Sequence, residues 1–275
     1  MKHASAFVLC LILAASARPA SGAVEGSAPL TDQQMEHFLM EAEVVKIKSL
    51  SVGITNSRRA TLTLGGLAHD AHVQTIDEYK QRFDGAKGVE INFRDSYRYN
   101  IAAYRLDRLI GLGIIPVSVE RKIGGQRAAV TWWIDDFAMM ELERHKKKMQ
   151  APNPEDWNDQ MYQVRVFNQL VYNMDPNLGN VLITKDWKIR LVDFSRAFRW
   201  HKNLKDSKEL VNIDRRVYNG LRDLTAEKLA AAMGPVLSDP EQQGVVARRA
   251  KLLEFFDAKI KQQGEAAVIC GHAGH

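Results

Sequence analysis

An α+β fold in two lobes, a small β-rich lobe followed by a larger α-rich one, is what this sequence predicts, and three observations predict it. Short β-patterned runs separated by glycine turns occupy residues 44–136. Helical periodicity dominates residues 137–263. Inside that helical part, one composite of loop, strand, turn and strand, Tyr172 to Ser195, interrupts the pattern and carries three polar residues, Asp175, Asn180 and Asp193. The first two observations are changes of period, from two to 3.6 residues. The third is too structured to be a plain connection.

The chain opens on Lys2 and His3, and Ala4 to Ala15 form an apolar run of signal-peptide length, too short to span a bilayer. Small residues follow at Ala15-Ser16-Ala17 and Ala20-Ser21-Gly22-Ala23, either of which suits cleavage. Residues 1–23 therefore read as a signal peptide and the mature chain as secreted or periplasmic, with no membrane span left after cleavage. Of 38 basic and 33 acidic residues, loss of Lys2 and Arg18 leaves 36 and 33, a net of +3. That balance is too small for a nucleic-acid partner or an acidic membrane surface. Cys10 lies within the apolar run, so the mature chain keeps one cysteine, Cys270, and no internal disulfide. It must rest on a hydrophobic core, which about 250 residues can supply.

Residues 24–43 read as a linker and a helix from about 32, led by Thr31-Asp32. Val44 to Leu50 reads as a strand. The turn Gly53-Ile-Thr55-Asn56-Ser57 precedes a second strand, Ala60 to Leu64, and Gly65-Gly66 is a hairpin signal before a third at 68–75. The charged, glycine-containing stretch that follows, with Lys80 and Lys87, reads as a loop. Arg94 to Leu109 reads as a helix with Tyr97, Ile101, Tyr104 and Leu109 on one face. Ile114–Val119 and Ala128–Ile134 read as paired strands across Gly124-Gly125. After them come helices at 139–148, from Asn153 to about 173, and at about 206–221, 225–233 and 240–262. Asn153-Pro154-Glu155 and Ser238-Asp239-Pro240-Glu241 mark two of the starts. Residues 264–275 read as a flexible tail. His69 and His72 read as ordinary surface or partly buried residues, and His272 and His275 as tail residues, for which metal binding with Cys270 is the weaker reading.

The interrupting composite decides the chemistry. Asp175 is followed by four residues and Asn180, then by the apolar run Val181-Leu182-Ile183, a turn at Lys185-Asp186-Trp187, a second strand from Ile189, and Asp193-Phe194. Phosphoryl-transfer enzymes need one carboxylate to orient the attacked hydroxyl, and an amide and a second carboxylate to hold the cation that bridges the phosphates. The chain lacks Gly-x-Ser-x-Gly, His-Glu-x-x-His and any paired-cysteine framework, so hydrolase or disulfide-scaffold readings have no support.

On these residues the stretch from about 45 to 200 resembles the atypical branch of the protein-kinase-like superfamily, similar to phosphoinositide kinases, HipA-like kinases and secreted kinases. The run Ala102-Ala103-Tyr104 to Leu109, then Gly-Leu-Gly-Ile-Ile-Pro-Val117, resembles the small-lobe helix and following strand of that branch. The resemblance implies that Asp175 is catalytic, that Asn180 and Asp193 bind metal, and that ATP or another nucleotide enters with Mg²⁺ or Mn²⁺. It implies a phosphate-covering loop at Gly53, Thr55, Asn56 and Ser57, with Arg58 or Arg59 near the phosphates. Trp132, Trp133 and Ile134 could line the base pocket, or be plain core. Three positions depart from the family. Phe194-Ser195 stands for Phe-Gly, and Asn173-Met174 for His-Arg. The lysine and glutamate that grip the phosphates fall at Gln74 and Asn100, both neutral, unless Lys80 or Lys87 takes the lysine's part. Two functions follow from the resemblance: an exported phosphotransferase with a protein, lipid or small-molecule acceptor, or a catalytically impaired pseudokinase that binds nucleotide or protein.

Overall fold

The computed structural model describes residues 29–50, 57–85 and 88–271. The signal-peptide reading, Gly53, Thr55, Asn56, Lys87, His272 and His275 lie outside the described residues. Helix α1 (Asp32–Glu41) precedes strands β1 (Glu43–Ser49), β2 (Arg58–Leu64) and β3 (Leu67–Gln74). Then come β4 (Asp77–Gly85), β5 (Gly88–Ser96), helix α2 (Arg98–Leu109), β6 (Ser118–Ile123) and β7 (Gln126–Trp132). Five of these strands form an antiparallel sheet in the order β1-β2-β3-β7-β6. Both expected glycine hairpins are present. Gly65 and Gly66 have φ of 57° and 85°, and Gly124 and Gly125 have 59° and 83°, as a two-residue turn with two left-handed positions requires.

Paired residues on neighbouring strands share a face, which gives the sheet two different sides. Ala60, Leu62, Ala71, Val73 and Val130 form a buried apolar side. There Phe38 of α1 meets Trp132 edge-on at 5.5 Å, and His69 stacks on Trp132 at 3.7 Å. The other side carries Arg59, Thr61, Asp70, His72, Gln74 and Thr131. A sheet with one greasy and one polar face has chosen its register, because a slip by one residue would exchange the two.

Helix α2 is fastened on several sides. Tyr99 donates to Glu241 at 2.5 Å, Tyr104 to Glu36 at 2.8 Å, Arg105 to the Ala232 carbonyl at 3.0 Å, and Arg108 to Asp32 at 2.5 Å. Burial pushes the Tyr99 hydroxyl well up, and Glu241 adds to the shift.

The second half contains β8 (Phe137–Met140), α3 (Glu141–Lys146), α4 (Pro154–Leu170), β9 (Val181–Thr184), β10 (Ile189–Leu191) and β11 (Ile213–Asp214). It closes with α5 (Arg215–Asp223), α6 (Ala226–Met233), α7 (Asp239–Gln263), α8 (Glu265–Val268) and β12 (Ile269–Cys270). Strands β8, β9 and β10 form a small sheet, and β11 pairs with β12 in parallel. The Asn153 side chain caps α4, accepting from Glu155 and Asp156 N–H at 3.1 and 3.2 Å. Ser238 and Glu241 form the capping box of α7. A β-rich first part and a helix-rich second part are thus what the sequence predicts.

Several boundaries differ. The stretch 77–96 is a hairpin of its own, β4 with β5, and not a loop; Lys80 lies on it beside Glu78 and over the Phe83 and Phe93 rings. Its pairing holds Arg94 to Ser96 extended, so α2 begins at Arg98 and not Arg94. Residues 114–117 stay outside the sheet, where Pro116 has no N–H to give. Phe137–Met140 is strand, because it pairs with β9. Helix α5 starts at 215, where Asp214 caps it. The tail from 264 is ordered as far as Cys270, because Ile269 pairs with Ile213. There Gln163 donates to the Cys270 sulfur at 3.4 Å, and burial with nearby Asp159 and Asp214 pushes the thiol up to about 12.

Candidate functional site

The loop after α4 is built by its own polar side chains. Asn173 holds Asn168 at 3.0 Å and accepts the Asp175 N–H at 3.0 Å, while Lys205 donates to the Asn173 carbonyl at 3.0 Å. Asn177 accepts the Gly179 N–H at 2.9 Å and donates to Asp175 at 3.4 Å. The Met174 N–H reaches the Arg196 carbonyl at 3.2 Å, which ties this loop to the segment after Asp193.

Asn180 and Asp193 come together through β9 and β10. Val181 pairs with Leu191, and the ladder continues by one bond, Val192 N–H to the Asn180 carbonyl at 3.1 Å. Both residues therefore leave adjacent strands at the same end. Asp193 sits at φ 58°, a left-handed position for a residue with a side chain, and such outliers collect where a side chain must be aimed. A carboxylate and an amide oxygen are hard donors suited to Mg²⁺ or Mn²⁺. Among the described residues no group of three or more His, Cys, Asp or Glu forms a closed metal cage. Two protein donors, with water and phosphate oxygens completing the shell, is the usual way Mg²⁺ is held on a nucleotide.

Above Asp193 lies the polar face of the sheet. Gln74, 1% exposed, donates to Asp193 at 3.5 Å and accepts from Asn100. Asn100 in turn accepts the Phe194 N–H at 2.8 Å. His72, two residues before Gln74 and on the same face, is close enough to feel the charge of Asp193; burial pushes its pKa down and Asp193 pulls it back. Asp95 packs on the same segment. Ser96 N–H bonds the Ser195 carbonyl at 2.8 Å, and burial raises the Asp95 carboxyl, Ser195 opposing and Asp193 adding to the rise. Further along, Glu90 of β5 bridges Arg196 and Arg199, the latter at 2.7 Å.

The remaining expected residues are spread out. Ser57 stands just before β2, its carbonyl taking the Leu50 N–H at 2.9 Å. Arg58 pairs with Val73 and so starts from the apolar side of the sheet, opposite to Gln74. Arg59 is on the polar side, bonded to Asp70 at 2.7 Å and lying over Trp133 at 4.2 Å. Trp132 faces the core and Trp133 the polar side, as strand alternation requires. Trp133, Ile134, Ile115, Val117 and Met35 help line a cavity of about 460 Å³. Its walls do not include Asp175, Asn180 or Asp193, so it lies apart from the acidic end of the site. Sequence reasoning set His72 aside as an ordinary histidine and passed over Asp95. The first could have been found from its spacing to Gln74, whereas the second needed the unforeseen hairpin.

Comparison of the whole chain with solved structures fits this geometry. The structure of hydra Fam20 with sugar superposes with a TM-score of 0.64 at 11% identity, covering 86% of this chain and 91% of that one. The Golgi casein kinase gives 0.61 at 12% identity, covering 86% and 77%, and the same kinase with Mn/ADP bound gives 0.61 at 11%, covering 86% and 78%. The fold is protein-kinase-like. No protein-family model matches the chain, and no curated protein matches it in sequence. At such identities the likeness is one of fold. Within this kinase-like fold, β1–β3, α2, β6 and β7 make the strand-rich part, and the Asp175–Asp193 stretch stands at the front of the helical part.

Proposed function

We propose that this chain is an exported kinase-like phosphotransferase that uses a metal-bound nucleotide. The observation that carries the reading is the Val192–Asn180 backbone bond, which extends the β9–β10 ladder and brings Asn180 and Asp193 to the same end of the two strands, in a kinase-like fold. Asn180 and Asp193 would hold Mg²⁺ or Mn²⁺, and the ion would supply neutralisation of phosphate charge. Asp175, anchored by Asn173, would accept the hydrogen bond of an acceptor hydroxyl and so orient it. The loop 53–57 would cover the nucleotide, with Trp133 and Ile134 near the base. A Golgi casein kinase with Mn/ADP bound shares the fold, which supports both the nucleotide with its cation and a place in the export route. On this reading residues 1–23 are a signal peptide, 44–136 and 137–263 are the two lobes, and the acceptor is a protein, lipid or small molecule.

One observation favours the second reading, a pseudokinase. Gln74 and Asn100 bond each other as neutral amides where the family keeps an ion pair, and loss of a phosphate clamp costs about 10²–10³ in rate. The deciding experiment is a thermal-shift titration of residues 24–275 with ATP and Mg²⁺ or Mn²⁺, beside Asp193→Ala. Ligand at ~100 times its Kd adds about 2.7 kcal/mol, roughly 5–10 °C for a chain of this size. A metal-dependent shift that Asp193→Ala abolishes supports the nucleotide site. An equal shift in both proteins, or none in either, sinks it. Phosphoryl transfer lost in Asp175→Ala separates the enzyme from the pseudokinase.

A further inference from the structure

We infer that Gln74 and Asn100 are positioning residues for the Asp193 cation site and not nucleotide ligands. The inference rests on the metal-binding reading of Asp193 and adds what holds that carboxylate in place.

The polarity of the contacts is fixed by one group that cannot be reversed. The Phe194 backbone N–H can only donate, so Asn100 must turn its oxygen to it, at 2.8 Å. The Asn100 amide nitrogen is thereby directed to the Gln74 oxygen. Gln74 then has only its nitrogen left to face Asp193, at 3.5 Å. Three bonds run in one direction and end on a carboxylate. The ring closes covalently, because Asp193 and Phe194 are consecutive. Two amides from β3 and α2 thus bracket the peptide bond that follows the candidate metal aspartate, and they do so at the residue with φ 58°. Neither amide can be swapped for an acid without turning a donor into an acceptor somewhere in the ring.

A lysine in place of Gln74 would reach for phosphate or sit on Asp193 as a competing cation. A neutral donor leaves the carboxylate its charge and only orients it. The 3.5 Å contact is the long member of the ring, so the carboxylate retains room to turn toward an ion. Partners of this kind behind a metal ligand typically set about 10–100-fold in metal affinity.

The test is Mn²⁺ binding to the full chain in the presence of ADP, read by electron paramagnetic resonance. The proteins are wild type, Asp193→Ala, Gln74→Met, Asn100→Leu and the Gln74→Met/Asn100→Leu pair. The expected result is binding abolished by Asp193→Ala and weakened about tenfold by each single change. The double variant should be no weaker than either single one, because breaking a ring once breaks all of it. Unchanged affinity in Gln74→Met, or losses that add in the double variant, overturns the inference while leaving the metal site intact. Absence of Mn²⁺ binding in wild type overturns the metal reading and this one with it. Gln74→Asn keeps the amide but is a methylene too short to span, so it stands in if Gln74→Met does not fold. It is expected to weaken Mn²⁺ equally, and wild-type affinity in it counts against the ring.

Discussion

Restoring a charged pair at positions 74 and 100 is the perturbation that most directly probes the neutral site. Gln74 is 1% exposed, and its amide nitrogen is 3.5 Å from Asp193. A lysine there meets a carboxylate at once, so Gln74→Lys alone should cost only about 1–3 kcal/mol, mostly from desolvation and crowding. Asn100→Glu alone places a second carboxylate beside Gln74 with no cation, and should cost about 3–5 kcal/mol. Together the two charges lie about 4 Å apart. At an effective dielectric of 20 their attraction is about 4 kcal/mol. Side-chain ordering takes part of this, so the double variant should be about 2–3 kcal/mol more stable than the sum of the singles implies. Urea unfolding of the four proteins at neutral pH measures it. Additivity within about 0.5 kcal/mol would refute the described contact between positions 74 and 100.

Other outcomes follow from the same coordinates. A Cβ on Gly220 would press on the Ile110 backbone, so Gly220→Ala should lose about 1–3 kcal/mol, seen as a Tm lower by roughly 2–12 °C. Glu90→Gln removes the acid shared by Arg196 and Arg199, and hydrogen exchange should rise at 196–200; unchanged exchange would mean the bridge does not order that segment. Burial pushes the Asp107 carboxyl up to about 6, with Arg108 and the Ile114 N–H pulling the other way. Its folded pKa thus lies above the unfolded value near ~3.9, so the stability carried by its protonation is complete below about pH 4 and lost as pH rises through about 6. Wild type should lose about 1–3 kcal/mol across that window and Asp107→Asn much less, measured by urea unfolding at each pH.

The parts of the fold legible in the sequence are those with local causes. The Gly65-Gly66 and Gly124-Gly125 turns demand left-handed backbone, and Asn153 and Ser238 with Glu241 are caps that act within one helical turn. The Asp175 to Asp193 stretch was legible because its strands are adjacent in sequence. What escaped depends on distant partners. The strand Asp77–Gly85 is almost wholly exposed and shows no alternation, so nothing in it signals a hairpin. The two residues of β12 are extended only because Ile213 is waiting for Ile269. The partnership of Gln74 with Asn100 follows from the kinase-like resemblance, but its extension to Phe194 and Asp193 needed the packed structure. Asp95 became visible only once β5 had carried it to Ser195.

The fastenings of α2 have a mechanical consequence. Kinases of the familiar kind are switched by swinging this helix in and out. Here Tyr99 is bolted to α7, Arg105 to the end of α6, and Tyr104 and Arg108 to α1, so an outward swing must break four bonds to three separate helices together. At roughly 1 kcal/mol or more for each bond, such a displaced state is too rare to serve as a resting position. Helix α2 is a strut and not a lever.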